Sequence, residues 1–111
     1  MTLDQLRALQ SSRTPSLVAD LVREFFASAT ARIGRMQAAL AAADLKTLEF
    51  EAHGLAGSCG VLGVIRMRIC CLELEQLASR GAQEQVPAAI DEVILRLEEA
   101  RPILTEAARR T

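Results

Sequence analysis

The sequence predicts an all-α protein, an antiparallel up-down four-helix bundle with a short extra N-terminal helix. Three observations predict it. Ala and Leu dominate while β-branched and aromatic residues are sparse, a composition that favours helix. Apolar residues recur every three or four positions, the period of an amphipathic helix rather than a strand. The chain has 111 residues, 50% of them hydrophobic, so residues 1–111 are expected to form a single domain with one modest core.

The first elements are a short helix over residues 2–10 and a long helix over residues 15–43. The short helix carries three leucines at helical spacing and ends in a polar turn. Thr14 can cap the long helix, and Pro15 can occupy its first position, where a missing N–H has no cost. The apolar stripe of the long helix is formed by Leu17, Leu21, Phe25, Ala29, Ile33, Met36 and Leu40, with Val18, Val22 and Phe26 beside it.

The next three helices are predicted over residues 45–60, 63–80 and 84–101. Asp44 is a suitable N-cap for the first, whose end Gly60 and Gly63 bracket, and Arg80-Gly81 is the order expected at the C-terminus of the second. Pro102 either ends the third or kinks it, in which case the helix extends to about residue 109. The predicted inward residues are Leu45, Leu48, Ala52, Leu55, Cys59 and Leu62, then Met67, Cys70, Cys71, Leu74, Leu77 and Ala78, and last Val86, Ile90, Val93, Leu97 and Ala100.

Charge and composition exclude several classes of function. The chain has 13 basic and 14 acidic residues with both signs interspersed, a net charge of −1, so it lacks the basic surface of a nucleic-acid binder. Its aromatic residues are 3 Phe, which removes the stacking platforms of single-strand and RNA binders. We therefore expect no nucleic-acid partner.

The sequence also predicts a compartment and an assembly state. Its 3 Cys, two of them adjacent, cannot form a paired disulfide framework, and the N-terminus lacks the pattern of a secretory signal. No apolar run approaches the roughly 18–20 residues that cross a bilayer. We expect a cytoplasmic protein that does not insert into membranes. We also expect a monomer, because solvent-facing positions away from Phe50 are mostly polar or small.

His53 is the single histidine, and helical rotation places it on the solvent side of its helix. At about 100° per residue, it lies roughly 120° from the centre of the apolar stripe. Lys46, Glu49, Gly57 and Gly60 share its side, and Phe50 and Gly54 lie on the opposite flank of the same solvent face. Each glycine costs on the order of 1 kcal/mol relative to Ala inside a helix, which calls for a reason.

The reason we consider for the glycines is access to the imidazole by another protein. A glycine one turn away removes a flanking side chain, and an exposed Phe50 adds apolar contact area. A neutral imidazole is nucleophilic near pH 7, so it can take a phosphoryl group and pass it on. The alternative is a plain solvated histidine, the commonest kind on a protein surface, and helical position does not decide between the two.

Other chemistry at the cysteines or Ser58 is disfavoured. Cys70 and Cys71 point about 100° apart on a helix, and Cys59 faces the core while His53 faces water, so no metal site is predicted. Ser58 lies well around the helix from the imidazole, which suits packing or docking better than catalysis.

The segment around His53 resembles the signature of histidine-containing phosphotransfer (HPt) domains of multistep two-component relays. That signature has Ala-His, an apolar residue two after the His, usually Lys three after it, Gly-Ser, Leu-Gly, and a later helix closing with Leu-Glu. The matching segment is Ala52-His53-Gly54-Leu55-Ala56-Gly57-Ser58-Cys59-Gly60-Val61-Leu62-Gly63, followed by Met67, Cys71 and Leu74-Glu75.

The resemblance implies a phosphoryl carrier rather than an enzyme. His53 would accept a phosphoryl group, usually at Nε2, from the aspartate of a receiver domain in a hybrid sensor kinase and pass it to a response regulator. The receiver would supply Mg²⁺, so we expect no cofactor in this chain. Glu49, one turn before His53, could accept a hydrogen bond from Nδ1–H and fix the tautomer.

The departure from the signature is Ala56, where the family usually has a lysine that steadies the phosphoryl group. The charge would then come from Lys46, from Arg66 or Arg68, from the docked partner, or not at all. Because of this departure, a second interpretation remains open: the chain is a phosphorylation-independent helical adaptor that binds a receiver or kinase domain through the same face.

Overall fold

The computed structural model describes residues 2, 4–5 and 17–110, and those residues form helices and turns without strands. Four α-helices follow one another: α1 (Leu17–Ala41), α2 (Leu45–Leu62), α3 (Ile65–Ser79) and α4 (Val86–Arg109). A 3₁₀ turn at Gln83–Gln85 precedes α4. The predicted helix over residues 2–10 lies for the most part outside the described residues, as do Thr14 and Pro15.

The helix ends show where the predicted bounds were displaced. Asp44 caps α2 as predicted, accepting hydrogen bonds from the Thr47 N–H at 3.1 Å and the Thr47 hydroxyl at 2.6 Å. α2 does not end at Gly60 but runs to Leu62. Gly63 ends it with a left-handed φ of 71°, and its N–H bonds to the Gly60 carbonyl. Glycine suits that position because it has no Cβ to clash.

The other differences also have local causes. α1 ends at Ala41 rather than at 43, because Ala43 takes a positive φ of 54° in the turn before Asp44. α3 begins at Ile65 rather than 63, after the turn at Gly63, and α4 begins at Val86 rather than 84, after the 3₁₀ turn. Pro102 does not end α4, which continues to Arg109.

The helices pack so that each lies beside its neighbour in sequence, and α4 returns to lie against α1. This arrangement with short connections is an up-down four-helix bundle, and the predicted all-α class is confirmed. The bundle is elongated, 47 × 20 × 19 Å. Among the helices of residues 17–110, none combines the length and the hydropathy that a membrane span requires.

The core follows the predicted stripes closely on α2, α3 and α4. On α4 the five predicted residues are buried, and Leu104 and Ala107 extend the stripe beyond Pro102. On α1 the stripe is rotated slightly, so that Val18 and Val22 are buried while Leu17 and Leu21 are only half-buried. Four other residues predicted to face inward are likewise half-buried: Leu40 of α1, Leu45 of α2, and Cys70 and Leu77 of α3. One charged side chain, that of Glu51 on α2, is buried among these residues.

Candidate functional site

His53 lies on the outer face of α2, and its predicted exposure is confirmed. Its side chain is 73% exposed. Ala52 and Leu55, its neighbours on the core side of the helix, are fully buried. The helix therefore presents the imidazole to solvent because the apolar stripe fixes its rotation.

The imidazole is held by Glu75 of α3, not by Glu49. Nδ1 lies 3.0 Å from Oε2 of Glu75, whose side chain is 20% exposed. The prediction for Glu49 was wrong because it considered one helix only, whereas the carboxylate comes from the adjacent one. A signal for Glu75 was present in the sequence, since it closes the Leu-Glu pair of the signature. The carboxylate accepts from Nδ1–H, which leaves the Nε2 lone pair directed away from α3.

The three glycines near His53 have different surroundings. A Cβ built on Gly57 would meet nothing within 4 Å, so this position keeps open space beside the imidazole, as the access hypothesis requires. A Cβ on Gly60 would make an ordinary contact with the Arg68 side chain, 3.6 Å from Nε. A Cβ on Gly54 would collide with the guanidinium of Arg32, 2.6 Å from its Cζ. For Gly54 the access hypothesis was wrong: a side chain of α1 already fills the space.

Arg32 belongs to an ion-pair cluster around the buried carboxylate of Glu51, which sequence reasoning missed. The Glu51 carboxylate, only 4% exposed, accepts from Arg32 Nη1 at 3.1 Å and from Arg35 Nε at 2.7 Å. A buried carboxylate is costly unless it is paired, so the two arginines account for the position of Glu51. The helical spacing of Arg32 and Arg35 on α1 gave no indication that both would reach one residue of α2.

Ala56 is buried between the helices, 3% exposed, rather than standing in solvent beside the imidazole. Ser58 donates to the Gly54 carbonyl at 3.3 Å, the bond to the carbonyl four residues earlier that serine commonly makes in a helix. Phe50 is 69% exposed and Lys46 is also exposed. Together with Gly57 and the exposed Val61, Phe50 and His53 form an open surface along α2, which we call the His53 face.

Arg66 lies away from this face. Nine residues separate it from Glu75 on α3, which places the two on opposite sides of the helix at about 100° per residue. Its Nη1 lies 3.6 Å from Glu99 of α4. Arg68, by contrast, is on the α2 side of α3, against Gly60. Of the two arginines predicted near His53, the structure therefore brings only Arg68 to the side of α3 that faces α2.

The cysteines behave as core residues. Cys59 and Cys71 are fully buried, and their mutual hydrogen bond together with burial raises the pKa of the Cys71 thiol. A neutral buried thiol is a poor metal ligand and a poor nucleophile. Within residues 2, 4–5 and 17–110, no three His, Cys, Asp or Glu side chains are grouped closely enough to hold a metal ion.

Comparison with known proteins agrees with this geometry. The family profile described as "Hpt domain" matches residues 20–102. The multistep phosphorelay regulator 1 of Schizosaccharomyces pombe (strain 972 / ATCC 24843) is 32% identical over 83 residues, which are 75% of this chain and 28% of that protein. The chain thus spans little more than a quarter of this relative. The crystal structure of histidine-containing phosphotransfer protein B from Pseudomonas aeruginosa PAO1 superposes with a TM-score of 0.84 at 26% identity, over 96% of this chain and 91% of the other.

Proposed function

The chain belongs to the Hpt domain family, and from that membership we propose that it carries a phosphoryl group on Nε2 of His53 between two receiver-domain aspartates. The donor would be the receiver of a hybrid sensor kinase, and the acceptor would be a response regulator. In this role the chain is a substrate of the relay and not an enzyme. We place it in the cytoplasm as a monomer.

The proposal is supported by the hydrogen bonding and the exposure of the imidazole. Nδ1 is held at 3.0 Å by Glu75, while no described residue bonds to Nε2. The side chain is 73% exposed, and Gly57 leaves open space one turn away. A nucleophile for a large donor must present its lone pair outward with a fixed tautomer, and these contacts do both.

Phosphoryl transfer to His53 does not require a proton to leave the site. The Nε2 lone pair attacks the phosphorus of the aspartyl phosphate, the N–P bond forms, and the P–O bond to the aspartate breaks to release its carboxylate. The ring keeps its Nδ1 proton and becomes positively charged. Glu75, already bonded to that proton, compensates the charge. In the second transfer the acceptor carboxylate attacks phosphorus, the N–P bond breaks, and the ring returns to its neutral form.

The receiver is proposed to dock on the α2 face around Phe50, His53, Gly57 and Val61. Phe50 and Val61 are 69% and 48% exposed, so their contact with a partner would bury apolar area next to the reacting nitrogen. The receiver would bring Mg²⁺ and the acidic pocket that shield charge during transfer. We propose no cofactor for this chain itself.

The test is incubation with phosphorylated receiver domains, using the parent and a His53→Gln variant. We expect an acid-labile, base-stable label on the parent alone, because a phosphoramidate is labile in acid. Tight receiver binding by both proteins without label would instead favour the phosphorylation-independent adaptor. Label on both proteins would place the phosphoryl group on a residue other than His53.

A further inference from the structure

Arg32 of α1 reaches across to the helix that carries His53. Its guanidinium occupies the place where residue 54 would have a Cβ, with Cζ and Nη2 only 2.6 and 2.9 Å from that point. Only a glycine at position 54 allows this approach. Since consecutive helical residues point about 100° apart, the guanidinium flanks His53 on the side that faces α1.

The contact with Glu75 fixes which way the ring of His53 is turned. Glu75 holds Nδ1 from the α3 side. In an imidazole Nε2 is the nitrogen remote from Cβ, on the other side of the ring axis from Nδ1. With Nδ1 held on the α3 side, Nε2 is directed outward into solvent and inclined toward the side where Arg32 lies. A phosphoryl group on Nε2 would project its oxygens to the same side.

The cluster that holds Arg32 has one positive charge in excess. Two guanidinium groups, those of Arg32 and Arg35, share the single carboxylate of Glu51. Arg32 Nε is buried and has no hydrogen-bond partner among the described residues. The Arg32 side chain is 24% exposed, so solvent screens its charge less than that of a fully exposed residue.

The other cations are less well placed. Lys46 lies two turns of α2 before His53. Arg68 packs against Gly60, two turns after His53. Arg66 pairs with Glu99 of α4, away from His53. We propose that Arg32 supplies the positive charge for the phosphoryl group on His53, in place of the lysine that is absent at Ala56. This inference rests on the proposed function and adds the residue that binds the transferred group.

The test loads His53 with potassium phosphoramidate, a small donor that needs no receiver. The ring nitrogen forms the new N–P bond, the P–N bond of the donor breaks, and ammonia leaves with the proton balance made up by solvent. Hydrolysis of the product is then followed by ³¹P NMR, as water attacks phosphorus and the N–P bond breaks. Arg32→Gln is compared with Arg35→Gln, since either variant leaves Glu51 one arginine.

We expect Arg32→Gln to shorten the half-life of phospho-His53 by about threefold to tenfold, the range of a charge-assisted contact at a partly exposed site. It should also shift the ³¹P resonance, whereas Arg35→Gln changes neither property. Equal half-lives in the parent and Arg32→Gln overturn the inference. So do equal losses in both variants, because those would report the integrity of the cluster.

A second variant displaces the Arg32 guanidinium without removing it. Gly54→Ala adds the Cβ that displaces the guanidinium, and it should shorten the half-life while Gly34→Ala, at a position with open space, does not. An unchanged half-life in Gly54→Ala would count against Arg32. Because phosphoramidate needs no receiver, these half-lives test the role of Arg32 alone. Transfer from phosphorylated receivers tests the proposed function separately.

Discussion

Replacing Glu75 by Gln should slow phosphoryl acceptance by His53 while leaving the fold intact. The variant keeps an oxygen near Nδ1 but removes the negative charge that compensates the ring once the N–P bond has formed. The charged contact is 3.0 Å long and joins a carboxylate 20% exposed to an imidazole 73% exposed.

The magnitude follows from that exposure. A hydrogen bond to a charged group contributes about 1.5–3 kcal/mol when shielded, and screening at an exposed partner reduces this to about 1 kcal/mol. Since 1.4 kcal/mol corresponds to tenfold, we expect the rate to fall about fivefold in Glu75→Gln. The rate should fall further in Glu75→Ala, because this variant also frees the ring to rotate.

The assay is the initial rate of labelling by phosphoramidate, with circular dichroism as the check on folding. Glu49→Gln is the matched control, because Glu49 lies one turn from His53 and makes no hydrogen bond to it in the structure. Rates in Glu75→Gln and Glu75→Ala that equal the parent rate would refute the role of the carboxylate. A loss in Glu49→Gln of the same size would show that only general surface charge matters.

Three further changes test the fold and the site. Glu51→Gln leaves Arg32 and Arg35 without a countercharge, and because both reach partly into solvent we expect a loss of about 1–2 kcal/mol in the free energy of urea unfolding, less than for a fully buried pair. Hydrogen bonds from Thr47 lower the pKa of Asp44, so its contribution to stability is present at neutral pH and lost as the pH falls through that lowered pKa; Asp44→Ala should therefore lower Tm at pH 7, with the difference shrinking below about pH 4. Ala56→Lys should lengthen the half-life of phospho-His53 relative to Ala56→Met, a stem of similar length without charge, and both should lower Tm because position 56 is buried.

The fold and the exposure of His53 were predictable because both depend on one helix at a time. The positions of apolar residues set the buried side of α2, and the remaining side follows by rotation. The stop at Leu62 was misplaced by two residues because Gly60 and Gly63 are both plausible ends. Only Gly63 takes the left-handed conformation that ends the helix.

The contacts across helices were not predictable in the same way. The helical periodicity of α2 determines which residues share the face of His53. It does not determine which residue of α3 or α1 lies opposite, since that depends on how far one helix is shifted along its axis relative to the other. Glu75 and Arg32 both reach the site from neighbouring helices, and Glu49 was chosen wrongly for this reason. Gly54 was likewise interpreted as open space because the side chain filling it comes from α1.

The most direct test of the phosphoryl-carrier role is the position of the N–P bond in the loaded protein. Protein labelled with ¹⁵N, loaded from a phosphorylated receiver and recorded by ¹H–¹⁵N and ³¹P NMR, identifies which ring nitrogen carries phosphorus. We predict coupling of phosphorus to Nε2 of His53, with the proton retained on Nδ1 beside Glu75. Phosphorus on Nδ1, or an unmodified His53 in a protein that still binds the receiver, would contradict it.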